Sequence, residues 1–308
     1  MKKIIYLFLV ILLSLQIQAQ RPNITNFSPT SGPIGTSVTI TGTNFNSTAI
    51  QNVVYFGATK ATVSAASSTS LTVTVPVGAT NQPISVLNAS NGLFGYTVKP
   101  FHVTFTGGSV ASGTFETKVD FGANTEALNM ATGDLDGDGK TDMVTVNFIA
   151  GNISILRNTS TVGSIDNSSF ATKIDISTGT NPRGIAIGDI DGDGKLDLVV
   201  TNFNSNTISI LRNTSSIGFI SFATKVDFAT NTGPRSVCIA DFDSDGKPDL
   251  AIAHSNINMS VFKNTSTSGS ISFNAKVDFG LTAGNNSTYI GSADFDGDGK
   301  LDIAVNNS

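Results

Sequence analysis

The sequence predicts an all-β protein in which a small antiparallel sandwich precedes a repeated four-stranded unit. Short segments such as 38–41 and 71–75 alternate apolar residues with threonine, which is the period-2 pattern of half-buried strands. No stretch has sustained helical periodicity. An acidic nonapeptide begins at residues 134, 189, 241 and 294. The spacings between these starts are 55, 52 and 53 residues. A repeat of this length indicates one supersecondary unit that is copied and stacked.

Composition excludes one class of partner. Apolar residues make up 39% of the 308 residues, which is enough for a real core, while charged residues make up 13% and the net charge is −5. The basic stripe that attracts nucleic acid is therefore missing. We expect no nucleic-acid partner.

The first 19 residues have the pattern of an export signal. Two lysines precede an apolar run at residues 4–15, and polar residues follow. The run is shorter than the ~20 apolar residues of a membrane-spanning helix. We predict that residues 1–19 form a signal peptide cleaved after Ala19, that no membrane span remains, and that bacterial-type export delivers a secreted or cell-surface protein.

Residues 22–105 contain alternating segments separated by Gly, Pro and Asn turns, which predicts the antiparallel sandwich. The string PNITNFSPTSGPIGT at 22–36 is followed by ITGTNF at 40–45 and VYFG at 54–57. These motifs resemble the IPT/TIG family of immunoglobulin-like domains. The resemblance implies an immunoglobulin-like sandwich over the whole segment. We expect it to act as a structural spacer, since it contains no catalytic constellation.

A Gly/Ser-rich stretch at 106–113 predicts a flexible linker, and residues 114–308 then repeat three features in the same order. A Phe-x-x-Lys-like segment is followed by the acidic nonapeptide and by a segment such as ISILRNTS at 153–160. Each repeat contains four strand-like segments, which describes a β-propeller blade. We predict three blades and part of a fourth. In the second copy the strand-like segments are 183–189, 196–202, 207–213 and 222–228, and the Phe-x-x-Lys-like segments begin at Phe115, Phe170, Phe222 and Phe273.

Each nonapeptide reads D-x-D-x-D-G-x-x-D. Alternation turns the first three carboxylates to the inside of a tight turn, the glycine lets the chain curl around an ion, and the backbone carbonyl of the lysine at position 7 adds an oxygen. The predicted metal ligands are Asp134, Asp136, Asp138, Lys140 and Asp142; Asp189, Asp191, Asp193, Lys195 and Asp197; Asp241, Asp243, Asp245, Lys247 and Asp249; and Asp294, Asp296, Asp298, Lys300 and Asp302.

Calcium is the ion that this donor set favours. Clustered carboxylates repel one another unless a cation joins them, and an all-oxygen set suits Ca²⁺ better than Mg²⁺. Zinc requires His or Cys, and neither occurs within the loops. We therefore expect one Ca²⁺ per loop, four in all.

Two other interpretations of the loops are weaker. Four complete copies argue against ordinary Asp/Gly turns that bind nothing. An EF-hand requires Glu at position 12 and a helix on each side. Position 12 is instead occupied by Thr145, Val200, Ile252 and Val305.

Loops of this form between strand-like runs resemble the FG-GAP/VCBS repeat family, which includes the integrin α-subunit propeller. The resemblance implies calcium at the ligand positions given above. Within the repeats, the family's Phe-Gly signature is only partly present, as Phe121-Gly122 and Phe279-Gly280, and Gly233-Pro234-Arg235 stands where Gly-Ala-Pro is expected. Integrin-like ligand recognition is therefore not carried over.

The resemblance also implies that ligands bind at the face opposite the acidic loops. The candidate residues there are Phe148, Phe203, His254, Arg183 and Arg235. His254 stands where other repeats have asparagine, and we expect it at the surface.

Cys238 is the only cysteine, which excludes an intramolecular disulfide, so packing and bound metal are expected to stabilise the exported protein. The matching positions in the other repeats are Ala131, Ala186 and Gly291. A position restricted to small residues predicts buried packing rather than a reactive thiol.

No enzyme motif is visible. The chain has two histidines, and 16 of its 23 acidic residues lie in the four loops, while no H-E-x-x-H or G-x-S-x-G motif occurs. We expect a non-enzyme that acts in adhesion or binds an extracellular glycan or protein. The alternative is an accessory, non-catalytic region of an exported polysaccharide-degrading enzyme. Three blades and part of a fourth do not easily close a ring, and propellers have about four to eight blades. We therefore also expect the sequence to be a fragment.

Overall fold

The structure is a computed structural model that describes residues 20–105, 116–255, 258–281, 287–296, 298 and 300–307. The predicted signal peptide at 1–19 and linker at 106–113 lie outside the described residues, as do Phe115 and Gly299. Within the described ranges, the regular structure is strand apart from one 3-10 turn at Ala49–Gln51, so the predicted all-β class is confirmed. No helix of this part of the chain has the length and apolarity needed to cross a membrane.

The N-terminal sandwich encloses its own apolar core. Seven strands follow the order β1-β3-β6-β5-β4-β7-β8, with β2 and β9 as a short parallel pair, and the two ends of this order, β1 and β8, contact each other. The alternation predicted for 38–41 is confirmed, because Val38 and Ile40 are fully buried. The strands are β1 (Asn23–Ser28), β2 (Ser31–Gly32), β3 (Ser37–Thr43), β4 (Asn52–Phe56), β5 (Thr59–Ala66), β6 (Ser70–Thr74), β7 (Pro83–Asn88), β8 (Leu93–Pro100) and β9 (His102–Val103).

Three four-stranded antiparallel sheets follow, each with its strands in chain order. They correspond to the predicted blades, and a described strand pair, β22–β23, begins a fourth. The strands of the first two blades are β10 (Ala127–Gly133), β11 (Asp142–Asn147), β12 (Asn152–Leu156), β13 (Ile174–Ser177), β14 (Pro182–Gly188), β15 (Asp197–Asn202), β16 (Thr207–Leu211) and β17 (Val226–Ala229). Those of the third and fourth are β18 (Pro234–Ala240), β19 (Asp249–His254), β20 (Asn258–Phe262), β21 (Val277–Gly280), β22 (Ser287–Ala293) and β23 (Asp302–Asn307).

The blades stack through their first strands, because β10 contacts β14, β14 contacts β18 and β18 contacts β22. The crowded small-residue position lies on these strands. Cys238 packs with the cluster that contains Ala251, Ala253 and Ile290, and burial raises the pKa of its thiol to about 11. Cys238 is thus a packing residue, as predicted, and its thiol has none of the acidity that reactive cysteines have.

A polar ladder crosses each blade from the second strand to the fourth. In the second blade, Asn202 Nδ2 donates to Ser209 Oγ at 2.9 Å, and this hydroxyl donates to Asp227 Oδ1 at 2.6 Å. The first blade repeats the arrangement with Asn147, Ser154 and Asp175. The ladder serine therefore has both a donor and an acceptor inside each of these sheets, which a buried hydroxyl needs.

Candidate metal centres and the opposite face

Each acidic loop joins the first two strands of a blade and brings three carboxylates together. In every loop, one oxygen from positions 1, 3 and 9 lies within 4.8 Å of the others. The carboxylates are buried in the first two loops and more exposed in the fourth. The converging groups are Asp134, Asp136 and Asp142; Asp189, Asp191 and Asp197; Asp241, Asp243 and Asp249; and Asp294, Asp296 and Asp302.

Backbone hydrogen bonds hold these carboxylates in place. In the second loop, Asp189 accepts N–H bonds from Gly192 at 2.8 Å and Gly194 at 2.7 Å. Asp197 accepts from Ile190 at 2.9 Å and Asn213 at 2.7 Å. Positions 1 and 9 therefore have their orientation fixed by the fold, and Gly194, with φ +85°, takes the left-handed conformation that the turn requires.

Position 5 does not join the converging set. Asp138 Oδ1 instead accepts the N–H of Lys140 at 2.8 Å, and the same bond recurs from Lys195 to Asp193 and from Lys247 to Asp245. The structure thus gathers positions 1, 3 and 9 of the predicted ligand set. The roles of position 5 and of the position-7 carbonyl stay predictions.

Burial makes ionisation of these groups costly. Burial, assisted by the neighbouring carboxylates and opposed by the backbone hydrogen bonds, raises the pKa of Asp142 to about 7, of Asp197 to about 8 and of Asp249 to about 6. Buried like charges at this spacing are destabilising unless a cation balances them. No His or Cys of the described residues joins the clusters, so the donor set fits a hard, oxygen-preferring cation such as Ca²⁺.

The following blade closes over each of the first two loops. Gly218 N donates to Asp136 Oδ2 at 3.0 Å, and Gly269 N donates to Asp191 Oδ2 at 2.8 Å. Asn213 Nδ2 donates to the carbonyl of Leu135 in the preceding blade, also at 2.8 Å. The acidic loops therefore lie at the junctions between blades.

The sandwich packs directly against the loops of all three blades. Asp134 N donates to the carbonyl of Ala58, and Phe94 N donates to that of Gly246. Tyr55 Oη donates to the Gly194 carbonyl at 2.7 Å. Arg21 Nη1 lies 3.0 Å from Asp241 Oδ2. The sandwich is therefore packed against the blades, while its role as a structural spacer stays a prediction.

Apolar packing reinforces this contact. Val53, Tyr55, Leu87 and Phe94 of the sandwich share one buried cluster with blade residues such as Leu135. A cavity of about 250 Å³ lies beside this cluster and is lined by Lys60, Asp136 and Ile217, among others. The sandwich and the acidic loops thus form one continuous interface.

Four of the five candidate ligand residues meet at the opposite face. Phe203 follows β15, and its ring centroid lies 5.5 Å from Arg183 Cζ and 5.4 Å from Arg235 Cζ. Phe148, which follows β11, places its ring centroid 6.4 Å from that of Phe203. All four are half-buried.

His254 does not belong to this group. Its exposed fraction is 0%, and its Nε2 lies 2.8 Å from Ser260 Oγ inside the third blade. The expectation that His254 lies at the surface is wrong, because the second strand ends inside the polar ladder rather than beyond it. His254 takes the place of the ladder asparagine.

Sequence reasoning missed two further contacts around the loops. The docking of the sandwich has no local signal in either segment. The interblade contacts of Asn213 and Asn264 do have one, the Asn-Thr-Ser triplet that recurs after the third strand of the blades. Asn264 Nδ2 bonds the carbonyl of Ile190 at 2.8 Å, so the triplet marks both a turn and a blade junction.

Comparison with known families agrees with both sets of motifs. Residues 22–116 match the IPT/TIG domain, and residues 134–200 and 189–252 match the FG-GAP-like repeat. A curated relative, cartilage acidic protein 1 of Xenopus tropicalis, is 26% identical over 184 residues, which cover 56% of this chain and 28% of that protein. The chain thus spans less than a third of the length of this relative.

Similar solved structures share little sequence. An auxiliary nutrient binding protein from Bacteroides ovatus is 13% identical, with 94% of this chain and 99% of that chain covered and a TM-score of 0.27. The rhamnogalacturonan lyase PL11 of Bacillus licheniformis is 16% identical, with 94% and 60% covered and a TM-score of 0.40. The family matches and the fold together carry the assignment: this chain has an N-terminal IPT/TIG domain followed by FG-GAP-like repeats.

Proposed function

We propose that this protein is a non-enzymatic, calcium-stabilised binding protein of the cell exterior. The observation that carries the proposal is the convergence of three carboxylates in each of four acidic loops. The presence of an IPT/TIG domain and FG-GAP-like repeats supports an extracellular binding or adhesion role. The apolar run at residues 4–15 after two lysines supports export.

Calcium has a structural role in this proposal. Ions in the first three loops neutralise carboxylates at the blade junctions and beneath the sandwich, so they stabilise the contacts between blades and between domains. Extracellular calcium sites have dissociation constants of about 10⁻⁴ to 10⁻³ M. Recognition is then left to the face opposite the loops, where an extracellular glycan or protein binds.

Calcium titration tests the structural claim. Chelated protein is expected to bind about one Ca²⁺ per loop in equilibrium dialysis, and chelation is expected to lower the melting temperature because ion binding contributes to folding. Asp191→Asn removes one converging carboxylate and should reduce the stoichiometry by one. Asp120→Asn, which changes an exposed aspartate outside the loops, is the control. An unchanged melting curve after rigorous chelation would refute calcium stabilisation.

A ligand screen tests the binding claim. The calcium-loaded chain is applied to arrays of extracellular glycans and proteins, with EDTA-treated protein in parallel. We expect the calcium-loaded protein to bind a ligand and the EDTA-treated protein to bind it more weakly, because removal of calcium destabilises the fold. Absence of binding to every glycan and protein tested, with the melting temperature intact, would contradict a recognition role.

A further inference from the structure

Two arginines at the opposite face have no counter-ion in the part of the chain that the structure describes. Among the described residues, neither Arg183 nor Arg235 forms an ion pair or a side-chain hydrogen bond, and each guanidinium instead lies over the ring of Phe203. The chain's other three arginines each approach a loop carboxylate within 4.0 Å, as Arg21 does with Asp241, Arg157 with Asp136 and Arg212 with Asp193.

The two positive charges also oppose each other. Arg183 is the second residue of β14 in the second blade, and Arg235 is the second residue of β18 in the third. Burial lowers the pKa of Arg235, and the charge of Arg183 lowers it further. The Nε of Arg235 is buried without a hydrogen-bond partner among the described residues. The backbone carbonyl of Glu126 accepts the Phe148 N–H, but the Glu126 side chain forms no ion pair with Arg183 or Arg235 among the described residues. Such a pair is costly to keep together unless an anion joins it.

The surroundings suit a hydroxyl-rich ligand. Asn181 Nδ2 donates to the Phe148 carbonyl at 3.2 Å, and Asn204 Nδ2, next to Phe203 in the chain, donates to Asn181 Oδ1 at 2.6 Å. The hydroxyl of the exposed Ser205 accepts the Thr180 N–H at 2.8 Å, so amides and a hydroxyl lie beside the segments that carry the two phenylalanines. Amides and hydroxyls both donate and accept hydrogen bonds. Aromatic rings offer the flat apolar surface on which a sugar ring packs.

We propose that Arg183, Arg235, Phe203 and Phe148 form a subsite for an acidic saccharide. Phe203 positions the two guanidinium groups, which bind the carboxylate of a uronic acid through paired N–H donors, and the neighbouring ring of Phe148 contacts the apolar face of the sugar. The inference rests on the binding role proposed above and specifies the ligand class for that role.

Matched trisaccharides test the ligand class. Binding of the calcium-loaded chain to galacturonic acid trisaccharide, galactotriose, its sulfate ester and triglutamate is measured by microscale thermophoresis. The uronic trisaccharide is expected to bind at least tenfold more tightly than galactotriose, since each charge-assisted hydrogen bond contributes about 1.5–3 kcal/mol. Its affinity should fall as salt is added. Equal binding of galactotriose, or tighter binding of the sulfate ester or of triglutamate, would overturn the assignment.

Substitutions test the location. Arg183→Leu and Arg235→Leu are conservative for folding because Leu128 occupies the matching position in the first blade, and each should weaken binding about tenfold or more. Lys99→Ala removes one exposed positive charge from the sandwich and should leave the affinity unchanged. If a leucine variant melts early, Arg183→Lys and Arg235→Lys keep the charge, lose the paired donors and should still weaken binding.

The outcomes separate this inference from the proposed function. Trisaccharide binding that is insensitive to both arginines places the subsite elsewhere and leaves the binding role intact. If none of the four probes binds but another array ligand binds specifically, the assignment of an acidic saccharide is overturned and the binding role is kept. Failure of the four probes and of the whole array overturns both.

Discussion

A single histidine distinguishes the third blade from the first two. His254 replaces the asparagine that bonds the ladder serine in the other blades, and it keeps that bond through Nε2. Burial, assisted by the nearby Lys276 and opposed by Asp278, lowers its pKa to about 4. The buried imidazole is therefore neutral at neutral pH and gains a proton only at a cost.

His254→Asn is expected to reduce the acid sensitivity of the protein. The pKa of His254 is lower when folded, about 4, than its unfolded value of about 6.5, so its contribution is fully present above pH 6.5 and is lost as the pH falls towards 4. The slope is at most about 1.4 kcal/mol per pH unit. Denaturant unfolding of wild type and variant at saturating calcium, from pH 8 to pH 4.5, measures the difference.

His102→Asn is the control for this prediction, because His102 is exposed in the sandwich. The free energy of unfolding of the control should follow that of wild type at every pH. Parallel pH profiles for wild type and His254→Asn would show that the buried imidazole has no part in acid sensitivity.

Most single residues of the loops could be predicted, while their surroundings could not. The Asp positions follow from a local spacing, so positions 1, 3 and 9 converge as expected. His254 was misplaced because the sequence shows a polar residue at a strand end and not the serine and aspartate that face it from the next two strands. Burial of a polar residue depends on partners from elsewhere in the chain.

At the scale of elements, asparagines after the third strands join neighbouring blades. Asn213 Nδ2 donates to the carbonyl of Leu196 in its own blade and to the carbonyl of Leu135 in the preceding blade, both at 2.8 Å. Asn158, the matching residue of the first blade, bonds the carbonyl of Thr141 in its own blade. Asn213 and Asn158 therefore differ by one hydrogen bond, the bond from Asn213 to Leu135 across the blade junction.

Asn213→Ala is expected to destabilise the protein more than Asn158→Ala. The first change leaves two buried carbonyls without their donor and should cost about 2–4 kcal/mol, whereas the second removes one such bond and should cost about half as much. Urea unfolding of the calcium-loaded variants provides both values. Equal losses would mean that the bond to Leu135 contributes nothing to the junction.

The blades themselves were predictable because each strand, turn and loop has a local pattern that occurs in every copy. The predicted segments 183–189, 196–202 and 207–213 correspond to β14, β15 and β16. The fourth strand is shorter than predicted, with β17 limited to Val226–Ala229. Phe222 forms only an isolated bridge with Asn213, since the preceding segment turns away to cover the neighbouring acidic loop.

At the scale of the molecule, the sandwich and the blades share one interface through the acidic loops. The carbonyls of Gly194 and Gly246, at position 6 of their loops, accept hydrogen bonds from Tyr55 and Phe94 of the sandwich. No periodicity within either segment predicts this contact, because it depends on which surfaces meet after both have folded. An ion that fixes the loop conformation also fixes these two carbonyls.

Chelation is therefore expected to loosen the sandwich contact before the sandwich core. The Phe94 amide, bonded to Gly246, should lose protection from hydrogen exchange when calcium is removed. The Ile40 amide, in β3 inside the sandwich, should stay protected because its strand neighbours do not change. Residue-resolved exchange with and without EDTA measures both amides. Equal protection of Phe94 in the two conditions would contradict coupling between the ion and the domain contact.

The ion pair between Arg21 and Asp241 also determines how the molecule bears tension. Arg21 precedes the first strand of the sandwich, yet it contacts the loop of the third blade, 220 residues further along the chain. A force applied ahead of residue 20 therefore reaches that loop before it can peel β1 from the sandwich. Part of such a load therefore passes to the third blade before β1 is loaded.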